Sequence, residues 1–334
     1  MSGLNSPADR GVLFSMDVAL STRWNAHRHT DGRAMIAEIR ELGFSRIEVG
    51  YDLIPPLVPG LKAALAAGEI RIGSVHNYCP PPLPDAPHPE IFTLGHPDPQ
   101  IRALARKYTE ETLRFSAELG AACVVVHAGN VDMPPLTREL IALQERGESF
   151  GRAYEKIQRT LLTEREKKAP RQIDLLREEL EDLLPLLDRF NIALALENLP
   201  TWEALPTERE MEALLTHFNH PRLRYWHDIG HAVIRETLGF SNHRRWLERL
   251  TPFLAGCHIH DVIPPAEDHR MPSFGRCNFR LLKPFLNGHI TRVLEPSPRI
   301  PRDEVMAGLR ALRSAWETPE EETPAPERAK ATPP

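Results

Sequence analysis

The sequence predicts a single-domain α/β fold, a (β/α)8 TIM barrel. Three observations carry this. Short apolar β-type runs alternate with helical patterns, these runs number eight, and the chain has 334 residues, enough for the ~250 that such a barrel needs. The runs fall at 12–15, 46–49, 70–76, 123–127, 192–197, 223–228, 254–259 and 291–294. Several are apolar throughout, as parallel strands covered on both faces should be. Helical periodicity appears between them at 32–42, 101–119, 208–217 and 303–316. In the first of these, Met35, Ile36, Ile39 and Leu42 share one face. Strand–helix alternation of this kind builds parallel sheets.

One connection is oversized, giving an enlarged helical segment between strands four and five. Residues 136–189 are highly charged, yet Ile173, Leu176, Leu180, Leu183, Leu184 and Leu187 recur at helical spacing. The pattern predicts two helices broken near Pro170, with 136–170 as an insertion and the second helix as the barrel's fourth. The charge run TEREKKAPRQ reads as a solvated helix face, or else as a lid or homo-oligomer contact. Residues 1–10 are polar. Residues 317–334 are rich in Pro, Glu and Ala and lack aromatic residues. Both ends are expected to be disordered, which leaves 11–316 for the barrel.

Composition narrows the function. The formal net charge is −5, an argument against a surface built to attract phosphate, so a nucleic-acid partner is not expected. Cys79, Cys123, Cys257 and Cys277 form no CxxC pair, so neither a zinc ribbon nor a disulfide framework is expected. No apolar run approaches the ~20 residues of a membrane span. The first residues show no secretory pattern, and a cytoplasmic location is the expectation.

The chemistry lies at the strand ends. From the third run onward each ends in a ligand-type residue: His76, His127, Glu197, Asp228 with His231 beyond it, His258 with His260 and Asp261, and Glu295. In a parallel barrel these ends share one mouth, where barrel enzymes place their active sites. A lone histidine after an apolar strand is more often a hydrogen-bonded core residue. A carboxylate after ALAL is different, because burying it unpaired costs several kcal/mol. Glu197, Asp228 and Glu295 make the same demand, and one divalent cation satisfies all three. His258 and His260 lie two apart on a strand and face the same side, so one can ligate while the other contacts substrate. The segment holding Glu267, Asp268 and His269 follows strand seven over the same mouth. Loops 77–96 and 264–278 are where specificity is expected.

The pieces SVHNYCP, VVVHAGN, LALENLP, YWHDIGHA, HIHDV, DHRMPSFGRCNF and VLEPSP resemble the xylose isomerase-like barrel superfamily, in its sugar phosphate isomerase/epimerase branch, over about residues 11–315. The resemblance implies a metal held by Glu197, Asp228, His258 and Glu295. The ion would be Mn²⁺, Zn²⁺, Co²⁺ or Mg²⁺, with room for more than one. His76, His127, His231, His260 and His269 would stand toward a small carbohydrate substrate. Glu197 and Glu295 would be the acid–base pair of a proton transfer α to a carbonyl, through a metal-stabilised enediolate. The superfamily also holds endonuclease IV-like zinc phosphodiesterases. Their additional ligands match His76, His127, His231 and His269, but one Asp position falls on Glu267. A keto-inositol dehydratase-like lyase shares the same first half-reaction.

Overall fold

The computed structural model describes residues 17–286, 288 and 290–317. Eight parallel strands close into a barrel, and a two-stranded antiparallel hairpin is appended. In chain order the strands are β1 (Val18–Ser21), β2 (Arg46–Val49), β3 (Arg71–His76), β4 (Cys123–Val126), β5 (Ala193–Glu197), β6 (Leu223–Asp228), β7 (Leu254–Ile259), the hairpin β8 (Asp261–Ile263) and β9 (Glu267–Arg270), and β10 (Thr291–Leu294). Around the ring the order is β1-β10-β7-β6-β5-β4-β3-β2.

The helices are α1 (Gly32–Glu41), α2 (Val58–Ala66), α3 (Pro99–Glu118), α4 (Leu136–Glu145), α5 (Arg152–Phe190), α6 (Glu208–Phe218), α7 (Ile229–Thr237), α8 (His243–Leu250), α9 (Phe279–Leu282) and α10 (Arg302–Glu317). Local sequence explains their limits. Asp31 caps α1 by accepting from the backbone N–H groups of Arg33 and Ala34, and Met35, Ile36 and Ile39 bury its inner face. Thr207 and Glu210 form a capping box on α6. No helix of the described residues is long and apolar enough to cross a membrane.

Two sequence expectations need revision. The run 12–15 lies outside the described residues, and the first barrel strand is Val18–Ser21, paired with both β10 and β2. Its run, VALS, is no longer than the VLFS before it and has the small Ala19 where that run has the bulkier Leu13, so local apolarity favours the earlier run. The second revision concerns Pro170. The chain breaks between α4 and α5, at residues 146–151, and α5 then runs unbroken through Pro170 and Pro185. Both prolines and the residues four before them, Glu166 and Glu181, are on the exposed side. Water can therefore take the carbonyls that the prolines free. Buried Arg165, Ala169, Gln172 and Leu176 hold the other face down. The charge run is thus solvated on one side only: Arg165 is buried against Glu210 at 2.7 Å and against the carbonyls of Trp202 and Ala204.

Inside the barrel a compact plug of Ala19, Cys123, Val125, Ala195, Trp226 and Val293 fills the centre. Trp226 fits because β7 carries Gly256 beside it; a Cβ there would stand 2.2 Å from the indole. Strand side chains alternate with period two. Two residues beyond the plug, on successive strands, stand Ser21, His127, Glu197, Asp228 and Glu295, with His258 two beyond Gly256. The plug is the floor of the polar mouth.

Candidate metal centre and active-site cavity

The four strand-end residues with the carboxylate and imidazole pattern converge on one point. His258 Nδ1 lies 3.0 Å from Glu197 Oε1, 3.3 Å from Glu295 Oε2 and 3.6 Å from Asp228 Oδ2. All four residues are buried. Burial alone would keep the ring neutral, but Glu295, Glu48 and Glu197 outweigh it and push the His258 pKa well above its ordinary value. The arrangement therefore favours positive charge at this point. Three carboxylates and one imidazole, with their oxygens turned inward, are a donor set suited to a divalent cation.

Asp228 is placed by its own helix. It is the N-cap of α7, and its Oδ1 accepts from the backbone N–H of His231 at 2.7 Å. The D-x-x-H spacing is thus an N-cap and the residue three beyond, with the carboxylate at the favourable end of the helix dipole. Gly230 between them leaves room for the His260 ring, which a Cβ would meet at 2.0 Å. Asn198, the residue after Glu197, ties the pieces together. Its Oδ1 accepts from the Asp228 N–H, its Nδ2 donates to the Asp228 carbonyl, and its own carbonyl accepts from His231 Nδ1.

Glu197 divides its two oxygens. Oε1 faces His258, whereas Oε2 faces His127 Nε2 at 3.2 Å and His76 Nε2 at 3.4 Å. His76 Nδ1 donates to the Asn77 carbonyl and His127 Nδ1 to Glu90, so both Nε2 atoms point the same way. Burial opposes a charge on His127, but Glu197 and Glu90 raise its pKa to about 10. His76, His127 and Glu197 form a second group spaced to hold an ion.

A cavity of about 230 Å³ opens above these groups, lined among others by Arg23, His76, His127, Glu197, His231, His269 and Glu295. His260 does not line it. Its Nε2 donates to Asp228 Oδ2 at 3.0 Å, and its Nδ1 accepts from the His269 backbone N–H. His269 does line it, stacked on His260 at 4.3 Å. Its Nδ1 donates to the Glu295 carbonyl, and its Nε2 accepts from Arg23 Nη1 at 3.0 Å. Both ring nitrogens are thereby engaged, and a guanidinium stands beside them. Glu267 points elsewhere, exposed and paired with Arg270. Glu267 is therefore not placed to ligate a third ion, whereas His231, His260 and His269 are spaced closely enough to hold one.

Several site residues escaped the sequence reading. Glu48 on β2 is fully buried, with its carboxylate 3.0 Å from His258 Nε2 and accepting from Ser21 and Ser74 hydroxyls. A carboxylate between Ile47 and Val49 carries the same unpaired-charge signal as Glu197. Arg23, which pairs with Glu295 at 3.3 Å, was hidden by the misplaced first strand. Glu90 lies in the Pro-rich 77–96 loop and shares the cavity wall. The four cysteines are free, and burial pushes the Cys123 and Cys257 thiols up to about 12, as expected of inert core thiols.

Behind Asp228 runs a buried chain: Tyr225 Oη to His227 Nδ1, then His227 Nε2 to His243 Nε2 at 2.8 Å. Burial pushes the His243 pKa down to about 4. Between pH 4 and 6.5 the unfolded chain therefore binds a proton that the folded chain refuses, so stability rises with pH across this window. The loss on acidification is on the order of 3 kcal/mol. Urea midpoints measured against pH should show this slope, and His243→Gln should lessen it. An unchanged slope would show that His243 does not titrate in this window.

A closed (β/α)8 barrel with a carboxylate–imidazole cluster at its mouth defines the class. The chain belongs to the xylose isomerase-like TIM barrel family, whose model matches residues 36–314. No curated protein matches it in sequence. Among solved structures it resembles the 3-keto-D-glucoside 4-epimerase YcjR from E. coli, with 16% identity, a TM-score of 0.63, and 90% of this chain and 99% of that one covered. It also resembles a D-tagatose 3-epimerase-like protein, with 18% identity, a TM-score of 0.64 and 90% and 97% coverage. D-psicose 3-epimerase from Clostridium cellulolyticum H10, solved with D-tagatose, is similar with 16% identity, a TM-score of 0.59 and 91% and 100% coverage. Likeness at these identities speaks to the shared fold.

Proposed function

We propose that the chain is a divalent-metal-dependent isomerase or epimerase that transfers a proton at the carbon beside the carbonyl of a ketose or related polyol. The observation that carries this is the convergence of Glu197, Asp228 and Glu295 on His258 Nδ1 beneath a small polar cavity. The sugar epimerases among the structural neighbours support it.

Glu197, Asp228, His258 and Glu295 would hold the ion, which when bound supplies Lewis acidity to the substrate carbonyl and neighbouring hydroxyl. Glu197 and Glu295 both line the cavity, from strands with β6 and β7 between them. One takes the proton and the other returns it, the division of labour of general acid–base catalysis. Arg23 holds Glu295 Oε1, and His127 holds Glu197 Oε2, so each carboxylate has a donor that fixes its orientation. His231, anchored through Nδ1, leaves Nε2 free to meet a substrate oxygen beside Asp268, 3.9 Å away.

The second group, His76, His127 and Glu197, favours one further reading. A second ion held by His76, His127 and Glu197 would supply the water activation of a zinc phosphodiesterase. Elemental analysis of purified protein, followed by solvent-deuterium exchange into a ketose panel, decides between the two. The proposed function requires metal-dependent deuterium incorporation. Two or more tightly held zinc ions per chain with nicking of abasic DNA, and no exchange, would replace it with the hydrolase.

A further inference from the structure

A second cavity of about 230 Å³ adjoins the first, and the two share Glu90, Leu199 and Pro200 as walls. We propose that it is a second sugar subsite, so that the substrate is a ketose carrying an attached neutral glycosyl unit. This rests on the reading of the first cavity as a ketose site. Alone, the first cavity falls below the ~300–1,000 Å³ common for ligand pockets, and the pair falls within that range.

Glu90 joins the two physically. Its Oε1 meets His127 at 3.2 Å in the first cavity, and its Oε2 accepts from Asn130 at 3.2 Å in the second. The second cavity is built rather than incidental. Val131 N–H donates to the Glu203 carbonyl, Leu205 N–H donates to the Gly129 carbonyl, and Asn130 bridges Ala204, so the segments after β4 and β5 are strapped together. Buried Gln172 reaches in from α5. It accepts from the Asp132 N–H and donates to the carbonyls of Asn130 and Gly95. The oversized connection thereby braces the segment after β4 from behind and, through Arg138, adds one residue to the cavity wall.

The lining chooses the ligand. Asn130 and Arg138 offer donors, while Glu90, Glu203 and the Thr201 hydroxyl, whose proton goes to Asn130 Oδ1, offer acceptors. Met133, Leu199 and Pro200 present apolar surface to the C–H face of a ring. With Glu90 already matched by His127, one carboxylate and one guanidinium remain, which leaves no surplus positive charge for a phosphate and accepts a neutral polyol. Glu203 is already held by the Thr137 amide and hydroxyl, so it is fixed in place as an acceptor.

Calorimetric titration of the full chain with D-fructose and with the ketose disaccharides lactulose and isomaltulose tests this. At least one disaccharide should bind about tenfold more tightly than D-fructose. Met133→Trp, and independently Thr201→Tyr, should fill the second cavity and remove that gain while leaving D-fructose binding within about twofold. Disaccharides no tighter than D-fructose, or a gain that survives both variants, overturn the subsite. Deuterium exchange on the same sugars separates the two ideas. A binding gain without exchange on any sugar keeps the subsite and removes the proposed reaction. Exchange on D-fructose with equal affinities does the reverse.

Discussion

Glu295→Gln is expected to lower kcat by about 10²–10⁴-fold, the range for loss of a positioned acid–base group. The substitution keeps shape and removes one charge. The contacts that place residue 295 do not need its carboxylate: its backbone N–H donates to the Ile259 carbonyl, and its carbonyl accepts from His269. The amide oxygen can still accept from Arg23. The melting temperature should therefore stay close to wild type while turnover collapses. Metal affinity should also weaken, because one anionic donor at His258 Nδ1 is lost. Measuring kcat at saturating metal separates the two effects. Turnover within about threefold of wild type would remove Glu295 from proton transfer.

Glu48→Gln is expected to raise the metal dissociation constant by about 10–100-fold. Glu48 does not line the substrate cavity; it acts through His258. Its carboxylate receives the Nε2 proton of that ring, so that the Nδ1 proton is the one a cation among the other three carboxylates would displace. An amide presents both a donor and an acceptor at this place and weakens the preference for that tautomer. The expected signature is a shift in metal titration with a much smaller change in kcat once metal is saturating. An unchanged metal affinity would show that the ring is held by Trp226, packed edge-on at 5.2 Å, and not by Glu48.

The sequence alone determined most of the barrel and much of its mouth. Seven of the eight strand runs fall where parallel strands stand, because apolar runs covered on both faces leave a strong local signal. Glu197, Asp228 and Glu295 were legible because a carboxylate at the end of an apolar run has few physical explanations. Tertiary structure decided the rest. A short strand such as Val18–Ser21 is fixed by its neighbours β10 and β2, and no local pattern outweighs the apolar run before it. Pro170 sits on the solvated side of a helix held from within, and the sequence does not say which carbonyls reach water. Ring geometry separates His260, committed to Asp228, from His258, because two histidines on one strand face are equivalent until their neighbours are placed. Arg23, Glu48 and Glu90 join the site from strands and loops far apart in the chain, which only closure of the barrel brings together.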